Sequence, residues 1–125
     1  MGKKVLIVDD DYGSAQLLQL LLEMDGFEAR ICTSVADVFS QATEPVDAFI
    51  IDQYLSGGQN GLDLLHAIRN GQAQIPAGTP VIIVSGDLRM ESKAYQAGAD
   101  SFLMKPFSPR ELSQQIKTLT AGHRT

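Results

Sequence analysis

Cysteine is almost absent from this chain of 125 residues, and tryptophan is missing altogether. The lone Cys32 excludes an intrachain disulfide and a cysteine-rich zinc site. One thiol fits a reducing compartment. Long apolar runs are missing too. A membrane-crossing helix needs ~20 apolar residues in a row, and no stretch comes near that. The N-terminus offers only Val5-Leu6-Ile7-Val8 between two lysines and three aspartates, too little for a signal peptide. Met1-Gly2 begins like a myristoylation signal, but Leu6 stands where that signal needs Ser or Thr. Basic residues are in deficit, 10 against 15 acidic, for a net charge of −5. That balance argues against a surface built to grip nucleic acid or an anionic membrane. A soluble cytoplasmic protein is expected.

What is present is an ordinary globular composition, 44% hydrophobic and 20% charged, with no repeat or low-complexity segment. The length suits one domain over residues 1–125, with a core from about 4 to 119 and a tail over 120–125. Such a chain can bury roughly two thirds of its unfolded surface. Short β-branched runs alternate with longer amphipathic stretches. The runs predict strands at Val5–Val8, Phe27–Cys32, Ala48–Ile51, Val81–Val84 and Ser101–Met104. The stretches predict helices at Tyr12–Asp25, after Ser34, at Leu62–Asn70, at Met90–Ala97 and from Ser108 to about Leu119. Ser34 and Ser108 suit N-caps, and Pro109 and Glu111 suit the first turn of the last helix. Leu17 through Met24 reads as a core face. Strict alternation of five strands and five helices predicts an α/β, doubly wound (βα)5 parallel sheet of flavodoxin-like type. Its expected strand order is 2-1-3-4-5, with helices on both faces.

In such a sheet, function gathers at the carboxyl ends of the strands. Asp9, Asp10 and Asp11 follow the first strand, Asp52 the third, Ser85, Gly86 and Asp87 the fourth, and Lys105 and Pro106 the fifth. Crowded carboxylates favour a cation, and oxygen-only ligands suit a hard one such as Mg²⁺. A carboxylate beside it can act as a nucleophile towards phosphorus. Lys105 and Ser85 are then suited to neutralise and hold phosphoryl oxygens. Taken singly, each residue has a plainer role: the aspartates as helix caps, Lys105 as a solvated charge.

The segments Val5-Leu6-Ile7-Val8-Asp9-Asp10, Phe49-Ile50-Ile51-Asp52, Val81-Ile82-Ile83-Val84-Ser85-Gly86 and Ala97 to Phe107 together resemble a response-regulator receiver domain of two-component signalling. The resemblance runs from Lys4 to about Leu119. It implies that Asp52 is the phosphoacceptor and Asp10 a direct Mg²⁺ ligand. Asp9 would act largely through metal-bound water, and the Tyr54 main-chain carbonyl would complete the site. It implies further that Ser85 and Lys105 hold the phosphoryl group, that Ser85 and Phe102 form the switch, and that the domain catalyses only its own phosphorylation and dephosphorylation. The implied partners are a histidine kinase or phosphotransfer protein upstream, and an effector protein or domain downstream. A homodimer through the fourth helix, fifth strand and fifth helix is a further option. The sequence departs from the family pattern in four places. Ser56 replaces the usual Pro, the loop to Gly61 is one residue longer, Ser85-Gly86 replaces Thr-Ala, and Phe102 replaces Tyr. The Gly57-Gly58 loop and the Ser85-Gly86-Asp87 stretch look like receivers attached to hybrid sensor kinases.

Two competing readings remain at this point. Asp9-Asp10-Asp11 also satisfies the Asp-x-Asp start of haloacid-dehalogenase-like phosphatases, but that reading leaves Asp52 idle and needs a later acidic motif. A phosphorylation-independent binding module is the other. Cys32 is expected to be a small buried apolar residue, His66 a surface one, and His123 part of the tail.

Overall fold

Ten elements alternate along the chain in a computed structural model, which describes residues 2–41, 45–72 and 75–121. They are β1 (Lys4–Val8), α1 (Tyr12–Met24), β2 (Glu28–Cys32), α2 (Val35–Gln41), β3 (Ala48–Asp52), α3 (Gly61–Arg69), β4 (Val81–Ser85), α4 (Glu91–Gln96), β5 (Ser101–Met104) and α5 (Pro109–Ala121). The strands form one parallel sheet in the order β2-β1-β3-β4-β5. This is the expected doubly wound architecture. The three central strands are buried on both faces, whereas edge strand β2 alternates buried and exposed residues.

Side chains alternate across a strand, so each face has its own core. One face gathers Leu6, Val8, Phe49, Ile51, Val81, Ile83 and Phe102 against Leu64, Leu65 and Ile68 of α3 and Ala94 of α4. The other gathers Val5, Ile7, Ile50, Ile82, Val84 and Leu103 against Ala15 and Leu22 of α1 and Leu112 and Ile116 of α5. Cys32 is fully buried, as expected, and burial pushes its thiol up to about 12.

The caps read from sequence are present. Ser34 Oγ accepts from the Asp37 N–H at 3.1 Å, and Ser108 Oγ from the Glu111 N–H at 3.0 Å. Several expectations need correction. Leu17–Met24 is a core face only in part: Leu22 is buried and Leu18 packs against the core, but Leu17, Leu20 and Met24 are 60%, 55% and 77% exposed, because the sheet covers only the stripe through Ala15, Leu18 and Leu22. The fourth helix starts at Glu91, not Met90. Asp87 caps a 3₁₀ turn at Leu88–Met90 ahead of it, its carboxylate accepting from the Arg89 N–H at 3.0 Å. The last helix continues to Ala121, since Thr120 is buried and donates its hydroxyl to the Ile116 carbonyl at 2.8 Å. His66 is exposed, and His123 lies outside the described residues.

Candidate phosphoacceptor site

The five strand ends of a parallel sheet point the same way, so their following loops share one rim. Main-chain bonds carry the ladder past the strands and hold those loops. The Asp9 N–H donates to the Cys32 carbonyl at 3.0 Å, Gln53 N–H to Val84 at 3.0 Å and Lys105 N–H to Ser85 at 2.9 Å. The Lys105–Pro106 peptide is cis.

Asp52 ends β3 and is 8% exposed. Its Oδ2 accepts from Lys105 Nζ at 2.8 Å. Asp9 and Asp10 each bring a carboxylate oxygen into the same space, and the three oxygens lie within 4.8 Å of one another. Burial raises the Asp9 carboxyl above its ordinary value, and the nearby Asp52 and Asp10 charges add to that effect. The Asp11 N–H, 2.9 Å from its Oδ1, and the Lys105 charge oppose it. Three clustered oxygen donors, all hard and anionic, fit a hard divalent cation.

Asp11 is set apart from this cluster. Its side chain caps α1, accepting from the Ser14 N–H at 3.3 Å and the Ser14 hydroxyl at 2.8 Å, which lowers its carboxyl. The plainer capping role therefore holds for one aspartate of the three. Tyr54 sits in an antiparallel bridge with Asn60, flanked by bonds from Gly61 N–H to the Gln53 carbonyl and from Leu55 N–H to the Gln59 carbonyl. Neither bond uses the Tyr54 carbonyl, the expected fourth ligand. Ser85 is buried, and its Oγ accepts from the Asp87 N–H at 3.0 Å. Asp87 also holds Arg89 through Nε at 2.9 Å and Nη2 at 3.0 Å, and this pairing lowers the Asp87 carboxyl. Phe102 lies inside the core next to Ile83, 7% exposed.

Two supporting residues carried no expectation. Asn60 caps α3, accepting from the Leu62 N–H at 2.9 Å. Gly61 touches the acceptor strand so closely that a Cβ there would stand 2.3 Å from the Asp52 carbonyl oxygen. No other residue fits without moving Asp52, which explains the Asn-Gly pair at the end of the longer loop. Gln53, directly after the strand, belongs to no sequence pattern.

The family model described as "Response regulator receiver domain" matches residues 5–117. The sensory/regulatory protein RpfC of Xanthomonas campestris pv. campestris is 34% identical over 124 residues, 97% of this chain and 17% of RpfC. YbdJ of Bacillus subtilis, an uncharacterized transcriptional regulatory protein, is 35% identical over 98% of this chain and 52% of its own length. The chain thus spans about half the length, or less, of these curated relatives. Among solved structures, the receiver domain of Francisella response regulator 1452 superposes with a TM-score of 0.88 at 27% identity, covering 98% of this chain and 100% of that one. A CheY-like receiver domain protein from Methanospirillum hungatei superposes with a TM-score of 0.84 at 28% identity, covering 98% and 96%. Neither the site nor these likenesses favour the hydrolase reading. After β5 the described chain forms only α5, with no further strand to carry an acidic motif.

Proposed function

Because the chain belongs to the response regulator receiver domain family of two-component signalling, we propose that Asp52 is its phosphoacceptor and that the rim described above is built for that transfer. The observation that carries this reading is the Asp52–Lys105 contact at 2.8 Å with Asp9 and Asp10 alongside. One Asp52 oxygen attacks the phosphorus of a phosphohistidine. The new O–P bond forms as the N–P bond breaks, and the imidazole leaves. Lys105, already on the carboxylate, follows the charge onto a phosphoryl oxygen, and the Ser85 hydroxyl donates to another. Asp9, Asp10, Asp52 and the Tyr54 carbonyl would hold Mg²⁺, which supplies positive charge beside the phosphoryl oxygens.

The domain turns over no substrate of its own; it accepts and loses one phosphoryl group. Its donor is a histidine kinase or phosphotransfer protein. Its output passes to an effector through the α4–β5–α5 face, where Tyr95 and Met104 are exposed. The same face serves a homodimer if one forms. RpfC is a sensory/regulatory protein, and a further relative, MtrA, is a DNA-binding response regulator. Both are longer than this chain, so output belongs to what adjoins such a domain, and these residues bind neither DNA nor membrane directly. No helix of the described residues is long and apolar enough to cross a membrane, which supports a cytoplasmic setting. Residues 1–125 act as one receiver unit. Intact mass after incubation with Mg²⁺ and acetyl phosphate tests the proposal. A single phosphate adduct on Asp52 is expected, and an unmodified chain would leave only the inert binding module.

A further inference from the structure

Gln53 follows Asp52 directly and is 1% exposed. Its amide oxygen is buried and has no hydrogen-bond partner. A buried acceptor left unpaired is costly, so its presence beside the acceptor carboxylate asks for a reason. Gln53 lies just past β3, and its ladder bond to Val84 carries the strand's alternation one residue further, placing it on the sheet face of Ile51, whose side chain shares one core with Ile83 and Phe102. Ser85, two residues beyond Ile83, lies on that same face. Asp52 pairs with Val84, and the Gln53 N–H continues the ladder to the Val84 carbonyl at 3.0 Å. Gln53 and Ser85 are therefore neighbours on adjacent strands, on one face, at the rim.

Ser85 Oγ is engaged as an acceptor, taking the Asp87 N–H at 3.0 Å. Donation of its hydroxyl to a phosphoryl oxygen on Asp52 would draw Oγ towards Asp52 and away from Asp87. That move orphans a main-chain N–H in a loop that already adjoins an orphaned acceptor. We propose that the Gln53 amide oxygen is the second acceptor of the Asp87 N–H, so that Gln53 is a positioning residue for the Ser85 switch; this rests on the phosphoacceptor reading above. While Ser85 holds the Asp87 N–H, the Gln53 oxygen is unpaired. In the phosphorylated chain both are held, and the loop after β4 closes onto Gln53. The unpaired oxygen raises the resting state and is relieved only in the active one, which biases the equilibrium towards activation.

Amide exchange of Asp87, followed by NMR, tests this. In the resting protein, Gln53→Met should leave the Asp87 amide protected, because Ser85 still holds it. Ser85→Ala should also leave it protected, because Gln53 takes over. The double variant Ser85→Ala/Gln53→Met should exchange about tenfold faster, the factor one neutral hydrogen bond supplies. Equal exchange in Ser85→Ala and the double variant would overturn the proposal. A second measurement uses the phosphate mimic beryllofluoride with Mg²⁺. The wild-type Asp87 amide should stay protected, and that of Gln53→Met should exchange about tenfold faster. Equal protection in the two bound proteins overturns it as well. Failure of beryllofluoride to perturb wild-type Asp52 and its neighbours strikes at the phosphoacceptor reading instead, and the resting-state comparison then judges Gln53 alone.

Discussion

Lys105 Nζ stands 2.8 Å from Asp52 Oδ2 and ties the end of β5 to the end of β3. The carboxylate is buried and the ammonium partly exposed, so the pair is a contact at the mouth of the rim rather than in the core. An amide at position 52 keeps an oxygen for Lys105 but is a far poorer nucleophile. Asp52→Asn should therefore fold normally and take up no phosphate from acetyl phosphate, measured by intact mass. Phosphate uptake by this variant, with label on Asp9 or Asp10, would falsify the assignment.

Removing the cation should separate transfer from folding. Lys105→Met leaves three carboxylates with no ammonium among them. Without Mg²⁺ the unfolding free energy should fall by about 1 kcal/mol, given the partial exposure of the pair. Phosphorylation should slow much more than that loss of stability explains. Unchanged phosphorylation kinetics would remove Lys105 from the proposed site.

The metal-binding roles are unequal in the structure. Asp10 is exposed and presents its carboxylate freely, whereas Asp9 Oδ1 is taken by the Asp11 N–H at 2.9 Å. Asp10→Ala should weaken Mg²⁺ by roughly tenfold or more, since affinity follows the count of charged ligands, and Asp9→Ala should weaken it less. Either change relieves like-charge crowding, so the midpoint without Mg²⁺ should rise. Equal Mg²⁺ affinity in titrations of wild type and both variants contradicts this.

Strand alternation and the residues after each strand make the sheet order and the rim legible in the sequence. The reason is physical: a buried parallel strand must be continuously apolar, and a charged residue at its end can only face the rim. Asp52 and Lys105 are found that way. Asp11 could not be told from Asp9 and Asp10 by spacing, because a cap and a ligand use the same side chain. Leu17, Leu20 and Met24 misled because leucine on a helix signals a core only when the sheet covers that stripe. Gln53 was invisible because its importance lies in an unmade bond, which only the packing around it reveals.

Tyr54 stands two residues past Asp52 with its side chain exposed at the edge of the site. A ring there narrows the path of a hydrolytic water to the phosphoryl group. Tyr54→Ala should lose phosphate faster while changing stability within about 0.5 kcal/mol, as exposed substitutions do. Decay at the wild-type rate or slower, followed by mass, argues that the ring does not shield.

Cys32, at the end of β2, supplies a pH signature of its own. Its thiol is pushed up to about 12 by burial, against an ordinary value of 9.0. The raised value means the unfolded chain loses the proton first as pH rises. The stabilising contribution is full below pH 9.0 and declines as pH climbs towards about 12. Alkaline unfolding of wild type should therefore steepen over that window relative to Cys32→Ala, and the native thiol should resist alkylation near pH 8. Rapid alkylation of the folded protein would contradict the burial.

Phe102 bears on how the signal leaves the rim. Its ring lies inside the core with Ile83 and Ala94. A ring so buried has little more area to hide, so further burial contributes little to activation. The work then falls on the loop after β4, where Ser85, Asp87 and Arg89 are joined by short polar contacts that a phosphoryl group can rearrange. A new charge near −2 at Asp52 pulls the Ser85 hydroxyl, and the loop follows it. Carrying an equilibrium from about 1:99 to 99:1 takes ~5.5 kcal/mol, more than one redirected hydroxyl supplies. The shift should thus be partial and grow when an effector binds. With beryllofluoride, amide shifts should be largest over Ser85–Arg89 and small at the Phe102 ring. Phe102→Leu, which keeps most of the buried volume, should retain most of the loop response at a modest cost in stability. A large displacement of the Phe102 ring, or loss of the loop response in Phe102→Leu, would show that the aromatic group itself drives the α4–β5–α5 face.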